Sequence, residues 1–103
     1  MTEFEIKITD ENFNEIVSSA EKPVLVDFYA DWCGPCQMLS PIVSEIAETR
    51  DDIIVGKVNV DENPMLCAKF GIMSIPMLAV FKNGEMTAKN IGYCNKEKIE
   101  SML

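Results

Sequence analysis

The run Val24-Leu25-Val26-Asp27-Phe28-Tyr29-Ala30 constrains this chain more than any other segment. It is continuously apolar apart from one carboxylate, and it is too short to cross a bilayer. Unbroken apolar strands of this kind are buried on both faces. Both faces of the sheet then need cover, and helices on two sides supply it. A chain of 103 residues has length for one domain and one core, so residues 1–103 are expected to form a single domain. Its 48% hydrophobic and 25% charged residues suit a globular protein and not a disordered one.

The other elements alternate around that strand. Phe4 to Ile8 alternates apolar and polar and reads as a first strand. Thr9 or Asp10 can cap a helix with Phe13, Ile16, Val17 and Ala20 on one face. A second helix starts near Cys33 and buries Leu39, Ile42, Val43 and Ile46; Pro41 inside it should kink it. Ile53 to Val60 is a third strand, and Asn63-Pro64 opens a short helix ending at Gly71. Met77 to Phe81 and Glu85 to Ile91 are strands joined by the hairpin turn Asn83-Gly84. Asn95 caps a last helix that buries Ile99, Met102 and Leu103. Helical crossovers make the first three strands parallel, and the closing hairpin makes the sheet mixed.

The charge balance excludes further classes. With 9 Lys+Arg against 17 Asp+Glu the net charge is −8, which disfavours nucleic acid and anionic membranes as partners. There is no His, hence no imidazole base and none of the commonest metal ligand. The N-terminal residues carry no secretory signal, so a cytoplasmic location is expected. In that compartment four Cys point to redox chemistry, metal binding or packing rather than a disulfide framework. A monomer is the expectation at this size.

The chemistry concentrates in Ala30-Asp31-Trp32-Cys33-Gly34-Pro35-Cys36, where a buried strand turns into a helix. Cysteines at i and i+3 on a first helical turn share one face and lie close enough to form a disulfide. The helix N-terminus favours a thiolate at Cys33. Pro35 is tolerated there because first-turn N–H groups have no helical partner, and Gly34 lets another chain approach. Half of a zinc site and two inert core thiols are the alternatives. Zinc knuckles normally come as two CxxC pairs, whereas Cys67 and Cys94 are single and far apart.

Across essentially its whole length the chain resembles the thioredoxin family. The resemblance rests on Val26-Asp27-Phe28-Tyr29-Ala30-Asp31-Trp32-Cys33-Gly34-Pro35-Cys36 and on Lys57-Val58-Asn59-Val60-Asp61. Gly71, Ile75-Pro76, Phe81-Lys82-Asn83-Gly84 and Gly92 extend it. It implies an α/β thioredoxin fold: a central mixed five-stranded sheet flanked by four helices on both faces. It also implies protein-disulfide reduction and electron carriage by reversible dithiol–disulfide exchange, helping maintain cell redox homeostasis. Cys33 would be the nucleophile that forms a mixed disulfide, and Cys36 would resolve it. No bound cofactor or metal is expected. Reducing equivalents would come from a thioredoxin-reductase-like partner, NADPH-linked in the family, and the substrates would be protein disulfides.

Asp27 stands out because a carboxylate inside an apolar strand is costly to bury charged. Desolvation should raise its pKa, making it a candidate proton acceptor and donor for Cys36; a strand-end acid reaching solvent or pairing with a cation is the alternative. Lys57 resembles the family lysine beside that acid. Pro76 resembles the family's cis-proline, which would free the backbone of Ile75 for an extended substrate. Trp32, Gly34, Pro35, Val60, Ile75, Pro76, Ile91 and Gly92 would form an apolar docking groove; Val60 and Ile91 could equally be core.

Some residues depart from the family pattern. Gln37 replaces a common basic residue, Met77 replaces Thr after the proline, and Tyr93 stands where a small residue is usual. Met73 and Met77 could make the groove permissive, or Met77 could fill core. Cys67 and Cys94 read as small buried hydrophobes, with a regulatory thiol at Cys94 as the alternative if it is exposed near the groove. A disulfide oxidant or isomerase, a non-catalytic binding module and a four-Cys metal site are the competing functions.

Overall fold

A computed structural model describes residues 1–103. Five strands form one sheet: β1 (Glu5–Lys7), β2 (Val24–Tyr29), β3 (Ile54–Asn59), β4 (Met77–Lys82) and β5 (Glu85–Ile91), in the order β1-β3-β2-β4-β5. The strand β3 runs parallel to both β1 and β2, while β4 is antiparallel to β2 and β5. The expected mixed sheet is therefore present, with the apolar run of β2 at its centre. Four helical segments cover it: a π-helical turn at Asn14–Ser18, α1 (Gly34–Thr49), α2 (Pro64–Phe70) and α3 (Lys96–Met102).

Period-two alternation splits β2 between two cores. Leu25 joins Val55, Leu78 and Val80 under Leu39, Val43 and Ile46 of α1 and Ile99 of α3. Val24, Val26 and Phe28 face the other way, against Phe13, Val17 and Leu66. On that second face Phe13, Phe70 and Phe81 stack at centroid distances of 5.3 to 5.6 Å. Such pairs add about 0.5–1.5 kcal/mol each beyond area burial. Segments as short as the π-helical turn and α2 need this tertiary packing, because isolated helices of that length do not persist.

Three local expectations change. The first strand is shorter than Phe4 to Ile8, and its start inverts the alternation: Glu5 is buried while Phe4 and Ile6 are exposed, whereas Lys7 points out and Ile8 in as expected. The inversion is possible because Glu5 Oε2 accepts hydrogen bonds from the Thr2 N–H (2.6 Å), the Thr2 hydroxyl (3.0 Å) and the Ser44 hydroxyl (3.1 Å). The first helix is only a π-helical turn, although Phe13 and Val17 are buried as the spacing predicts. Asp10 does not cap it. Its carboxylate accepts from the backbone N–H groups of Met65 (3.3 Å) and Leu66 (2.9 Å), closing the start of α2 instead. Thr9 and Asn12 cap the earlier turn reciprocally. Pro41 lies inside α1, where the sequence places it.

The remaining punctuation follows the sequence. Asn83 (φ 54°) and Gly84 (φ 80°) make the hairpin turn, and Gly71 (φ 60°) ends α2. Asn95 caps α3 by accepting from the Lys98 N–H at 2.9 Å.

Candidate active site

The central strand β2 delivers the chain to the edge of the sheet, and Ala30-Asp31-Trp32 turn it into α1. Cys33 is the N-cap of α1 and Pro35 sits in its first turn. The Cys33 Sγ accepts a hydrogen bond from the Cys36 N–H at 3.2 Å. Cys33 and Cys36 are joined by a disulfide with a Cα–Cα separation of 5.2 Å, inside the span a disulfide requires. On reduction the same N–H and the helix N-terminus remain to stabilise a thiolate at Cys33. Both cysteines pack with Ala30 against Tyr29, Val60 and Ile75. Gly34 and Pro35 are exposed in front of them. Trp32 is 70% exposed, held by donation from Nε1 to Asp61 Oδ2 at 2.9 Å.

A second loop meets this turn. The Ile75–Pro76 peptide bond is cis. The Pro76 carbonyl accepts from the Gly92 N–H at 2.7 Å, and Gly92 lies at φ 94°, where only glycine is unstrained. Ile91 is exposed and pairs across the sheet with Met77. The structure thus brings Val60 and Ile75 against the disulfide. Gly92 is tied to Pro76 by that hydrogen bond, and neither Ile91 nor Gly92 packs on the cysteines.

Asp27 lies inside the molecule, with 1% of its surface exposed. Register places Asp27 directly opposite Lys57, and parity turns both toward α1. The Lys57 Nζ is 3.8 Å from Asp27 Oδ2, an ion pair without a hydrogen bond, and neither Asp27 oxygen has a hydrogen-bond partner. Burial pushes the Asp27 carboxyl up to about 6; Lys57 pulls it down and Glu5 adds to the rise. Lys57 instead donates to the Ser40 hydroxyl at 2.7 Å, with its ammonium 5.0 Å from the Tyr29 ring centroid. A cleft of about 270 Å³ is lined by Lys57, Ser40 and Tyr29 together with Cys36 and Gln37 of the redox turn and α1; Asp27 itself lies behind Lys57 and does not line it. Asp27 therefore does not reach solvent, but it does stand beside a cation, Lys57, as the alternative reading allowed.

The thioredoxin family model matches residues 4–103. The chain belongs to the thioredoxin family. It is 50% identical to the thioredoxin of Alicyclobacillus acidocaldarius subsp. acidocaldarius over 97 residues, which cover 93% of this chain and 91% of the relative. It is 48% identical to the thioredoxin of Porphyra purpurea over 98 residues, covering 94% and 92%. Against the thioredoxin of Staphylococcus haemolyticus (strain JCSC1435) the identity is 48% over 101 residues, covering 95% and 93%. As a thioredoxin-family thiol–disulfide oxidoreductase, the chain carries out dithiol–disulfide exchange at the Cys33–Cys36 pair. Disulfide substrates and a reductase are the partners of such a protein, and no helix here is long and apolar enough to cross a membrane.

Several side chains at this thioredoxin site were not legible in advance. Ser40 follows Cys36 by one helical turn, a spacing that puts both on one face of α1. Glu5 gave no signal, because alternation in the first strand pointed it to solvent. Met77 is 3% exposed inside the core, so it fills space rather than lining a groove, whereas Met73 is 95% exposed. Gln37 donates from Nε2 to the Asp31 carbonyl at 2.9 Å. Cys67 lies in α2, its thiol 3.6 Å from the Val60 carbonyl. Cys94 packs on the opposite side of the sheet, against the core beneath α1 and α3. Cys67 and Cys94 are apart from the Cys33–Cys36 disulfide, and no three His, Cys, Asp or Glu side chains come together as metal ligands would.

Proposed function

We propose that Cys33 is the attacking thiolate of a protein-disulfide reductase and Cys36 the resolving thiol. Cys33 attacks one sulfur of a substrate disulfide, forming a mixed disulfide and releasing the other sulfur as a thiolate. Cys36 then gives its proton to the Asp27 carboxylate and attacks the Cys33 sulfur. This restores the Cys33–Cys36 disulfide and releases the second substrate thiolate. Two electrons have passed to the substrate, and solvent and Asp27 return the protons. Lys57 moderates the charge on Asp27. Trp32, Gly34, Pro35, Val60, Ile75, Pro76, Ile91 and Gly92 form the docking groove, with the Ile75 backbone pairing to an extended substrate segment.

The observation that carries this reading is the shared cleft: Cys36 and Lys57 both line it, Lys57 stands 3.8 Å from a buried, protonatable Asp27, and the Cys33 sulfur sits at a helix N-cap. In the full cycle a thioredoxin-reductase-like, NADPH-linked partner re-reduces the disulfide, and no cofactor stays bound. One domain spanning residues 1–103, acting as a cytoplasmic monomer, fits this role.

The test is reduction of a model protein disulfide by a small thiol in the presence of this protein. Wild type accelerates the reaction, and Cys33→Ser loses that acceleration. Cys36→Ser retains mixed disulfides through Cys33. An active Cys33→Ser protein, or a Cys36→Ser protein that traps nothing from cell extract, overturns the assignment.

A further inference from the structure

The helix α1 presents Cys36, Ser40 and Ser44 at successive turns, and the two hydroxyls are bonded to charged side chains of the sheet. Ser44 donates to Glu5 Oε2 at 3.1 Å. Ser40 accepts from the Lys57 ammonium at 2.7 Å, while that ammonium stands 3.8 Å from an Asp27 carboxylate whose two oxygens accept nothing. A buried ammonium beside a buried carboxylate would ordinarily close to a charge-assisted hydrogen bond. Here the short bond is made to the Ser40 hydroxyl and the carboxylate stays at ion-pair distance.

We propose that Ser40 is a positioning residue for Asp27: by taking the Lys57 hydrogen bond it keeps the ammonium from closing on the carboxylate. The inference rests on the proton-transfer role given to Asp27 above. A direct Lys57–Asp27 hydrogen bond would stabilise the ionised acid and weaken its grip on a proton. Holding Lys57 at a distance leaves an acid that both takes and returns a proton near neutrality. The charged groups acting on Asp27 are Lys57 of β3 and Glu5 of β1. Tyr29 lies two residues along β2, Leu78 of β4 is its apolar register neighbour, and Cys36 and Ser40 of α1 line the cleft together with Lys57. Glu5 acts in the same direction as Ser40, but its bonds run to Thr2 and Ser44, so replacing Ser40 leaves them in place.

The experiment is a carboxyl ¹³C NMR titration of Asp27 in the oxidised protein, in which Cys33 and Cys36 cannot titrate. Wild type should show a midpoint of about 6. Ser40→Ala should lower it by about one pH unit, the size of a strengthened contact with an opposite charge. Ser40→Thr keeps the hydroxyl and should match wild type. An unchanged or raised midpoint in Ser40→Ala overturns the proposal, as does an equal fall in both variants. If the threonine variant does not fold, a Lys57→Met background decides instead. Without an ammonium to move, Ser40→Ala should leave the midpoint unaltered, and a fall there also overturns the proposal. The two levels separate cleanly: an Asp27→Asn protein with normal turnover would refute the proton role, while the titration would still report how Ser40 places Lys57.

Discussion

The Lys57 ammonium stops 3.8 Å from Asp27 Oδ2, and the carboxylate it faces accepts no hydrogen bond at all. A buried ion pair of this geometry offsets only part of the desolvation of its acid. Asp27 is therefore a group that the fold holds at a cost when it is charged.

That cost makes stability depend on pH. The Asp27 carboxyl rises from 3.8 to about 6 on folding. Its contribution is fully present below the unfolded value and is lost as pH climbs through about 6, a loss of roughly 3 kcal/mol. Asp27→Asn should escape this loss. In urea unfolding of the oxidised protein, the variant should exceed wild type by up to roughly 3 kcal/mol at mildly alkaline pH and converge with it in acid. A variant less stable than wild type at alkaline pH would mean that the pair is stabilising.

Gly56 sits in β3 directly against Ile8, which is fully buried. A Cβ at Gly56 would collide with the Ile8 side chain and crowd the Ile6 carbonyl. Gly56→Ala should destabilise by about 1–3 kcal/mol, the usual range for overpacking a filled core. The urea midpoint measures it; an unchanged midpoint would show that Ile8 has room to move.

Asp10 holds the start of α2 from 56 positions away in sequence. Asp10→Ala leaves the Leu66 N–H without its acceptor and should cost about 1 kcal/mol, as for a lost N-cap. Faster amide exchange at Leu66, with α1 unaffected, is the local signature. Equal exchange at Leu66 in both proteins would rule out the capping role.

Burial pushes the thiols of Cys67 and Cys94 up, and neighbouring Asp10 and Asp61 add to the effect at Cys67. In the oxidised protein these are the two free cysteines. Both should alkylate more slowly than a small free thiol at neutral pH, because less thiolate is present. Mass spectrometry after brief iodoacetamide treatment reads the rates. Labelling of Cys94 as fast as the free thiol would revive a regulatory role.

Much of the site was legible because its signals are local. Cys33 and Cys36 are set by strand-to-helix spacing, and Asp27 by one carboxylate in an apolar strand. The helix caps at Asn63 and Asn95 and the turn at Asn83-Gly84 also lie where short-range rules put them, although Asn63 caps without its side chain. Ser40 and Glu5 escaped notice because their roles depend on what faces them. Of the two caps the sequence allows at the first helix, Thr9 stays there while Asp10 serves α2, because a carboxylate can cap whichever N-terminus folding brings to it.

The sequence by itself determined the layered α/β plan, the redox turn and the buried acid, since each follows from side-chain periodicity or from residues a few positions apart. Only the tertiary structure decided that Glu5 turns inward, that Asp10 serves α2, and that Lys57 makes its hydrogen bond to Ser40 while standing at ion-pair distance from Asp27. Those choices are made between partners distant in the chain. In a desolvated interior each satisfied hydrogen bond is stronger and each unpaired polar group costlier than in water, so which distant partners meet decides what each polar side chain does.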